Sequence, residues 1–230
     1  MQRSKADKLA IFKTCFTGIT HAYGTYDPTT GRIAAIRRPV TDDVFLRHLR
    51  GVQPYGVYLL VNDRARAVTA DFDDDDAMPV LAFVDQAVAY GLRPYVERSK
   101  CKGWHVCCFF PPGGVLAFKV RLVLKAVLDD IGAPRTEVFP KQDRVGQRQQ
   151  LGNFINAPLW GRMVPHGRTV FVNPRGQLRP YDDQWALLAD VDRVTEHQLG
   201  EIIEINDLHP TTAAPAIAQN ACDTTRVPKS

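Results

Sequence analysis

Two aspartates one residue apart, Asp71 and Asp73, stand in the stretch Val68-Thr-Ala-Asp71-Phe-Asp73-Asp-Asp-Asp76. A short apolar run ending Val57-Tyr-Leu-Leu-Val61 and the turn pair Asn62-Asp63 precede it. Helical spacing from Ala77 to Tyr90 follows it, so Ala67 to Asp73 is expected to be a strand running into a helix. Alternate side chains of a strand share a face. Asp71 and Asp73 therefore point one way and Phe72 the other. Two carboxylates held this close repel each other unless a cation lies between them. Hard divalent ions take oxygen ligands, often one or two carboxylates completed by substrate phosphates. Asp74, Asp75 and Asp76 fit a simpler role, complementing the dipole at the start of the next helix.

The elements needed to position these groups are legible in the spacing. Lys8 to Phe16 is expected to be helical, and His21 to Tyr26 and Ile33 to Ile36 to be strands. Thr41 to Gly51 has the signals of a short helix, with Thr41 as N-cap and Gly51 as stop. His21 and His48 show no metal spacing and are taken as surface or packing residues. After the Asp71 strand and its helix come the strands Arg93–Ser99 and Trp104–Phe110, joined by the loop Lys100-Cys-Lys-Gly103. A long helix over Val115–Ile131 and a short strand, Thr136–Phe139, complete the order β-α-β-β-α-β. That order is the split βαβ or ferredoxin-like unit. Its first and third strands are central neighbours, its fourth flanks the first, and its helices cover one face. The opposite face is expected to be open. Strand Arg168–Val172 and helices Asp182–Val191 and Thr195–Ile205 follow.

This topology brings distant residues together. Asp71 and Asp73 lie on the first strand, His105 on the third and Glu137 on the fourth, and all four meet if each set faces the open side. Alternation alone does not say which face that is. Ser99-Lys-Cys-Lys-Gly103, just before His105, offers a hydroxyl, two cations and a glycine. Such a loop can hold phosphate through backbone N–H groups and lysine charge. A solvated basic turn has the same composition.

Composition narrows the class. The chain has 230 residues, 45% hydrophobic and 23% charged, as an ordinary globular protein has. A net charge of +4 is compatible with nucleic acid. No apolar run is long enough for a membrane span, and the first residues lack a signal-peptide core. The five cysteines form no CxxC pair, which points to reduced thiols and a cytoplasmic location rather than a zinc site. From about Asp207 the chain is rich in Ala, Thr and Pro without periodicity. The expected organisation is one unit over 1–205, with an N-terminal α/β part to 62 and a catalytic part from 63, and a flexible tail or linker over 206–230.

Asp71-Phe-Asp73, Ser99-Lys-Cys-Lys-Gly103-Trp-His105 and Glu137-Val-Phe-Pro140-Lys-Gln142 together resemble the three motifs of the archaeo-eukaryotic primase superfamily. The likeness is to its primase-polymerase branch, including the domains of TOTE conflict systems and CRISPR-associated primase-polymerases. Leu151-Gly-Asn-Phe-Ile-Asn-Ala-Pro-Leu159 is similar to the stretch that follows the third motif there. Each motif alone is weak; three in order, on strands inferred independently, are stronger. Glu137 stands where many members carry Asp, and Gly103 where several carry Ser.

The resemblance implies an α+β fold with an RRM-like catalytic unit and a template-dependent nucleotidyltransferase, a DNA primase-polymerase. It implies that Asp71, Asp73 and Glu137 hold two divalent ions, Mg²⁺ or Mn²⁺, for in-line phosphoryl displacement. It places Ser99, Lys102 and His105 on the nucleotide triphosphate. In the polar loop after the third motif, Lys141, Arg144, Gln147 and Arg148 are candidates for phosphate or template, with Lys141 and Arg148 taken as nucleotide-binding. Implied partners are a single-stranded DNA template, a primer, dNTP or NTP, and helicase or conflict-system modules, fused or associated. Basic residues between Arg93 and Arg168 would track the template backbone. Trp104 and Trp160 suit core packing better than base stacking.

Other readings remain in view. A non-catalytic nucleic-acid-binding module of this fold normally carries aromatics on its first and third strands. A rolling-circle nickase would want paired histidines, and His105 has none two residues away. A nucleotide cyclase also sets carboxylates on a comparable sheet.

Overall fold

The computed structural model describes residues 3–146 and 151–210. The first helix, α1 (Lys5–Phe16), is opened by a capping box between Ser4 and Asp7. β1 (Tyr23–Tyr26) and β2 (Ile33–Ile36) form a hairpin, and α2 (Asp42–Leu49) follows with Thr41 in extended conformation at its N-cap. The expected strand over Val57–Val61 is divided. β3 (Gly56–Val57) pairs with β1, whereas β4 (Leu60–Val61) turns back onto β5 (Arg64–Ala65). The division follows from the turn pair: Asn62 takes a left-handed φ of 59°, which asparagine tolerates, and starts a tight hairpin.

β6 (Ala67–Phe72) then runs into α3 (Met78–Ala89), and β7 (Tyr95–Arg98) and β8 (Trp104–Phe109) form the next hairpin. The two residues expected to begin the long helix are instead a short strand, β9 (Val115–Leu116), paired with β5. α4 (Ala117–Asp130) leads to β10 (Glu137–Phe139). β11 (Ile155–Asn156), β12 (Val170–Asn173), β13 (Arg179–Pro180), α5 (Gln184–Ala189) and α6 (Glu196–Ile205) complete the described chain.

The main sheet has the order β10-β6-β8-β7-β12-β13, and every neighbouring pair is antiparallel. Its first four members are the β-α-β-β-α-β unit in the expected order. Val68, Ala70, Phe72, Val96, Val106 and Cys108 face α3 and α4 and are buried against Phe83, Val84, Leu124 and Val127. Full burial of each such side chain is worth roughly 1.5–3 kcal/mol relative to exposure.

The opposite face is not open along its length. Ala67, Cys107 and Phe109 lie under the N-terminal unit, in one cluster with Phe12, Phe16, Phe171 and Leu188. Phe16 meets Phe109 edge-on at 5.7 Å. A bare apolar half-face would be costly, and the apolar stripe of α1 covers it. Among the described residues the end of the face bearing Asp71 and Glu137 stays accessible, with His105 buried between the strands beside Asp71. A second sheet, ordered β11-β3-β1-β2, walls that end, and β2 is its exposed edge strand. Among the described residues no helix is long and apolar enough to cross a membrane. Cys15, Cys101, Cys107 and Cys108 are free thiols.

His48 belongs to this scaffold. It is 1% exposed, its Nδ1 accepts from the Tyr55 N–H at 3.0 Å and its Nε2 lies 2.8 Å from the Pro158 carbonyl. Burial disfavours its cation and lowers its pKa to about 4. Above about pH 6.5 folded and unfolded chains are both neutral here, and the stabilisation is complete. Between about 6.5 and 4 the unfolded chain takes up the proton first, so stability falls, by about 3 kcal/mol in all. Urea titrations across this range should show that loss, and H48Q should flatten it; parallel pH profiles for the two proteins would contradict it.

Candidate active site

Strand register builds the site. Glu137 lies opposite Asp71, Asp71 opposite His105, and His105 opposite Glu97. Four adjacent strands thus carry a straight row of ionisable groups on one face, at the ~4.8 Å spacing of neighbouring strands. The row slopes from interior to solvent. Glu97 is 2% and His105 7% exposed, Asp71 is half-buried, and Glu137 is exposed.

Each group has a partner of opposite sign. Glu97 Oε2 lies 2.6 Å from His105 Nδ1, and His105 Nε2 is 3.4 Å from Asp71 Oδ1. At the other end Lys141 Nζ donates to Glu137 Oε1 at 2.5 Å. Burial holds the Asp71 carboxyl above its usual range; the charges of Asp73 and Glu137 add to that, and His105 opposes it. Burial works against the His105 cation, but the charge and hydrogen bond of Glu97, helped by Asp71, outweigh it and raise its pKa. Glu97 itself is raised by burial, with His105 opposing.

Asp73 follows the last residue of β6 and is exposed, within electrostatic reach of Asp71. The loop between β7 and β8 is tied to this acidic end. Asp75 Oδ1 accepts from the Gly103 N–H at 3.0 Å and from Arg98 Nη2 at 2.6 Å. Asp75 is therefore a clamp on the loop; α3 starts only at Met78 with no acid in its first turn, and of the aspartates expected to complement its dipole Asp76 accepts from the Met78 N–H at 2.9 Å. Arg98 stacks over Trp104, 4.0 Å from the ring centre.

A cleft of about 540 Å³ opens over the row, lined by Asp71, His105 and Lys141 on one side and by Ile33, Asn153 and Phe154 on the other. Asp71, Asp73, Glu137, His105 and Lys141 thus converge. Lys102 does not join them: it is exposed and makes no hydrogen bond or ion pair among the described residues. Lys100 lies behind the row, beside Glu97 and His105, with its Nζ 3.6 Å from the Tyr26 ring centre; burial lowers its pKa while the charge of Asp71 opposes. Ser99 is half-buried, and its N–H bonds the Gly103 carbonyl. Arg144 is exposed, and Gln147 and Arg148 lie outside the described residues. Trp104 and Trp160 are buried. Glu97 was missed from sequence, and Lys100 entered only as one of the two cations of its loop. A buried glutamate inside the alternation Tyr95-Val96-Glu97-Arg98 has the pattern of a solvent-facing one.

The donor set suits a hard divalent cation. Asp71, Asp73 and Glu137 offer only oxygens, and their mutual repulsion is what such an ion relieves. Among the described residues, no three His, Cys, Asp or Glu side chains are gathered closely enough to hold a metal by themselves.

An RRM-like sheet with carboxylates in place of aromatics on its first strand, walled by an N-terminal α/β unit, is of the primase-polymerase type. The chain belongs to the archaeo-eukaryotic primase domain family of TOTE conflict systems, whose family model matches residues 32–202. No curated protein matches it. Among solved structures it is similar to the polymerase domain of Mycobacterium tuberculosis Ligase D, determined in complex with DNA. That similarity has 15% identity and a TM-score of 0.45, over 87% of this chain and 86% of the other.

Proposed function

We propose that the protein is a template-dependent nucleotidyltransferase, a DNA primase-polymerase. The observation that carries this reading is the Glu137–Asp71–His105 row on one sheet face, with Asp71 and His105 lining an open cleft and Asp73 within electrostatic reach of Asp71. Asp71, Asp73 and Glu137 would hold divalent ions, Mg²⁺ or Mn²⁺, with nucleotide phosphates completing the oxygen shell. When bound, the ions would activate the attacking 3′-hydroxyl and offset charge on the departing pyrophosphate. His105 and the backbone of the Ser99–Gly103 loop would meet the triphosphate. Ile33 and Phe154 give the cleft an apolar wall against which base and sugar rest. Lys141 neutralises Glu137 and would exchange that contact for phosphate.

The alternative of a non-catalytic binding module is disfavoured by orientation. Phe72 and Trp104, the aromatics at this end of β6 and β8, point into the helix-covered core. Calorimetry tests the reading at the binding step. A nucleoside triphosphate should bind in the presence of Mn²⁺ and weakly without it; metal-independent binding of single-stranded DNA with no nucleotide affinity would favour the binding module.

The polynucleotide would leave the cleft across β2. A groove of about 660 Å³ meets the cleft at Ala35 and is lined by Arg37, Arg38 and Arg47, with Asp43 as its one acid among the described residues. Arg38 and Arg47 are exposed, and their guanidinium groups have no hydrogen bond or ion pair among the described residues. Reversing both charges (R38E/R47E) should weaken single-stranded DNA binding about tenfold or more near 0.1 M salt. The slope of log K against log salt should fall by about 1.4, at roughly 0.7 per lost phosphate contact. Fluorescence anisotropy over a salt series reads both, and an unchanged slope would place the DNA elsewhere.

A further inference from the structure

We propose that Glu97 is a positioning residue for the nucleotide site, acting through His105. This deepens the nucleotidyltransferase reading and rests on it. Glu97 is a carboxyl group 2% exposed in the middle of a strand, a placement that costs several kcal/mol without a partner. Its hydrogen bond is to a single side chain, His105 Nδ1, at 2.6 Å. An imidazole in a strand has two free torsions. With Nδ1 tethered from beneath, the ring plane is fixed and Nε2 is directed outward, past Asp71, to the cleft. An untethered ring could turn toward Asp71 or Lys141 instead of the triphosphate.

The surroundings support this division of labour. The cavity behind the ring has about 10 Å³ of free space, bordered by Glu97, Lys100, Asn156 and Trp160. That is room for about one water and no substrate. Glu97 therefore cannot touch a nucleotide, and its influence must pass through His105. Carboxylates that orient a functional histidine in this manner change affinity or activity by about 10- to 100-fold when removed.

The test uses the full chain, a primed single-stranded template and Mn²⁺, with E97A, E97Q, H105A and E97A/H105A. E97A should raise the nucleotide KM at least about tenfold. The Kd for DNA and the thermal midpoint should change far less. E97Q keeps the volume and an acceptor oxygen and should recover most of the loss. The double variant should be no worse than H105A, because Glu97 has nothing to orient once the imidazole is gone. The imidazole Nδ1 proton should give an NMR resonance far downfield of the amides that E97A removes. Additive effects of the two single substitutions, or an unchanged KM in E97A, would overturn the proposal while leaving the enzyme reading intact. A wild-type protein that neither extends primers nor binds nucleotide would end both.

Discussion

Replacing Asp71 and Asp73 together by alanine should reduce nucleotide incorporation by about a thousandfold or more. Charge stabilisation at a metal-assisted phosphoryl centre is worth several kcal/mol, and each 1.36 kcal/mol is a factor of ten. The double substitution removes two of the three oxygen-bearing groups and leaves Glu137, which Lys141 already engages. The fold should not suffer. Asp71 is held above its usual pKa by burial and by the charges of Asp73 and Glu137, so its carboxylate is a strained group in the free protein. Truncating it removes repulsion, and the thermal midpoint should hold or rise, as it does where a site trades stability for activity. Single-turnover extension beside a thermal melt checks both. Activity within tenfold of wild type, in a folded variant, would contradict the assignment of these two carboxylates.

G103A should have the second-largest effect, on folding and on the site at once. Gly103 has a φ of +81°, which L residues adopt only with strain. A Cβ there would also lie 2.1 Å from the Phe72 carbonyl oxygen and about 3 Å from the Asp73 backbone. Neither neighbour is a flexible side chain, so the loop must move. Moving it breaks the hydrogen bond from Gly103 N–H to Asp75 and pulls the Ser99–Gly103 loop from the acidic end of β6. Left-handed strain of 1–3 kcal/mol and the clash together should lower stability by about 3 kcal/mol or more. Nucleotide affinity should fall at least about tenfold with the loss of the loop's N–H groups. Denaturant titration and nucleotide calorimetry measure the two effects; a fully stable G103A with wild-type affinity would show that the loop does not serve the cleft.

The unit that carries the site was legible because its signals are local. Short, largely apolar runs over Ala67–Phe72 and Trp104–Phe109, bounded by turn residues, yield strands, and the order of elements yields a sheet order that pairs Asp71 with His105 and Glu137. What covers the second face was not legible. That α1 lies on Phe109 and Phe171 depends on contacts between residues far apart in sequence. Glu97 escaped for a similar reason, since its burial comes from β8 and the N-terminal unit and not from its neighbours in the chain. That Lys100 and not Lys102 lies beside the row turned on how a four-residue loop folds back, and Asp75 holds that loop from 28 residues away.

Gel analysis of primer extension tests the central claim most directly. The protein would be given single-stranded DNA, labelled nucleotides and Mn²⁺ or Mg²⁺, with and without a primer. Metal-dependent ladders that grow with template length and vanish in D71A/D73A are the expected result, and ladders in the primer-free lane would add priming to extension. A folded protein that binds DNA and nucleotide yet forms no phosphodiester product in either lane would contradict it.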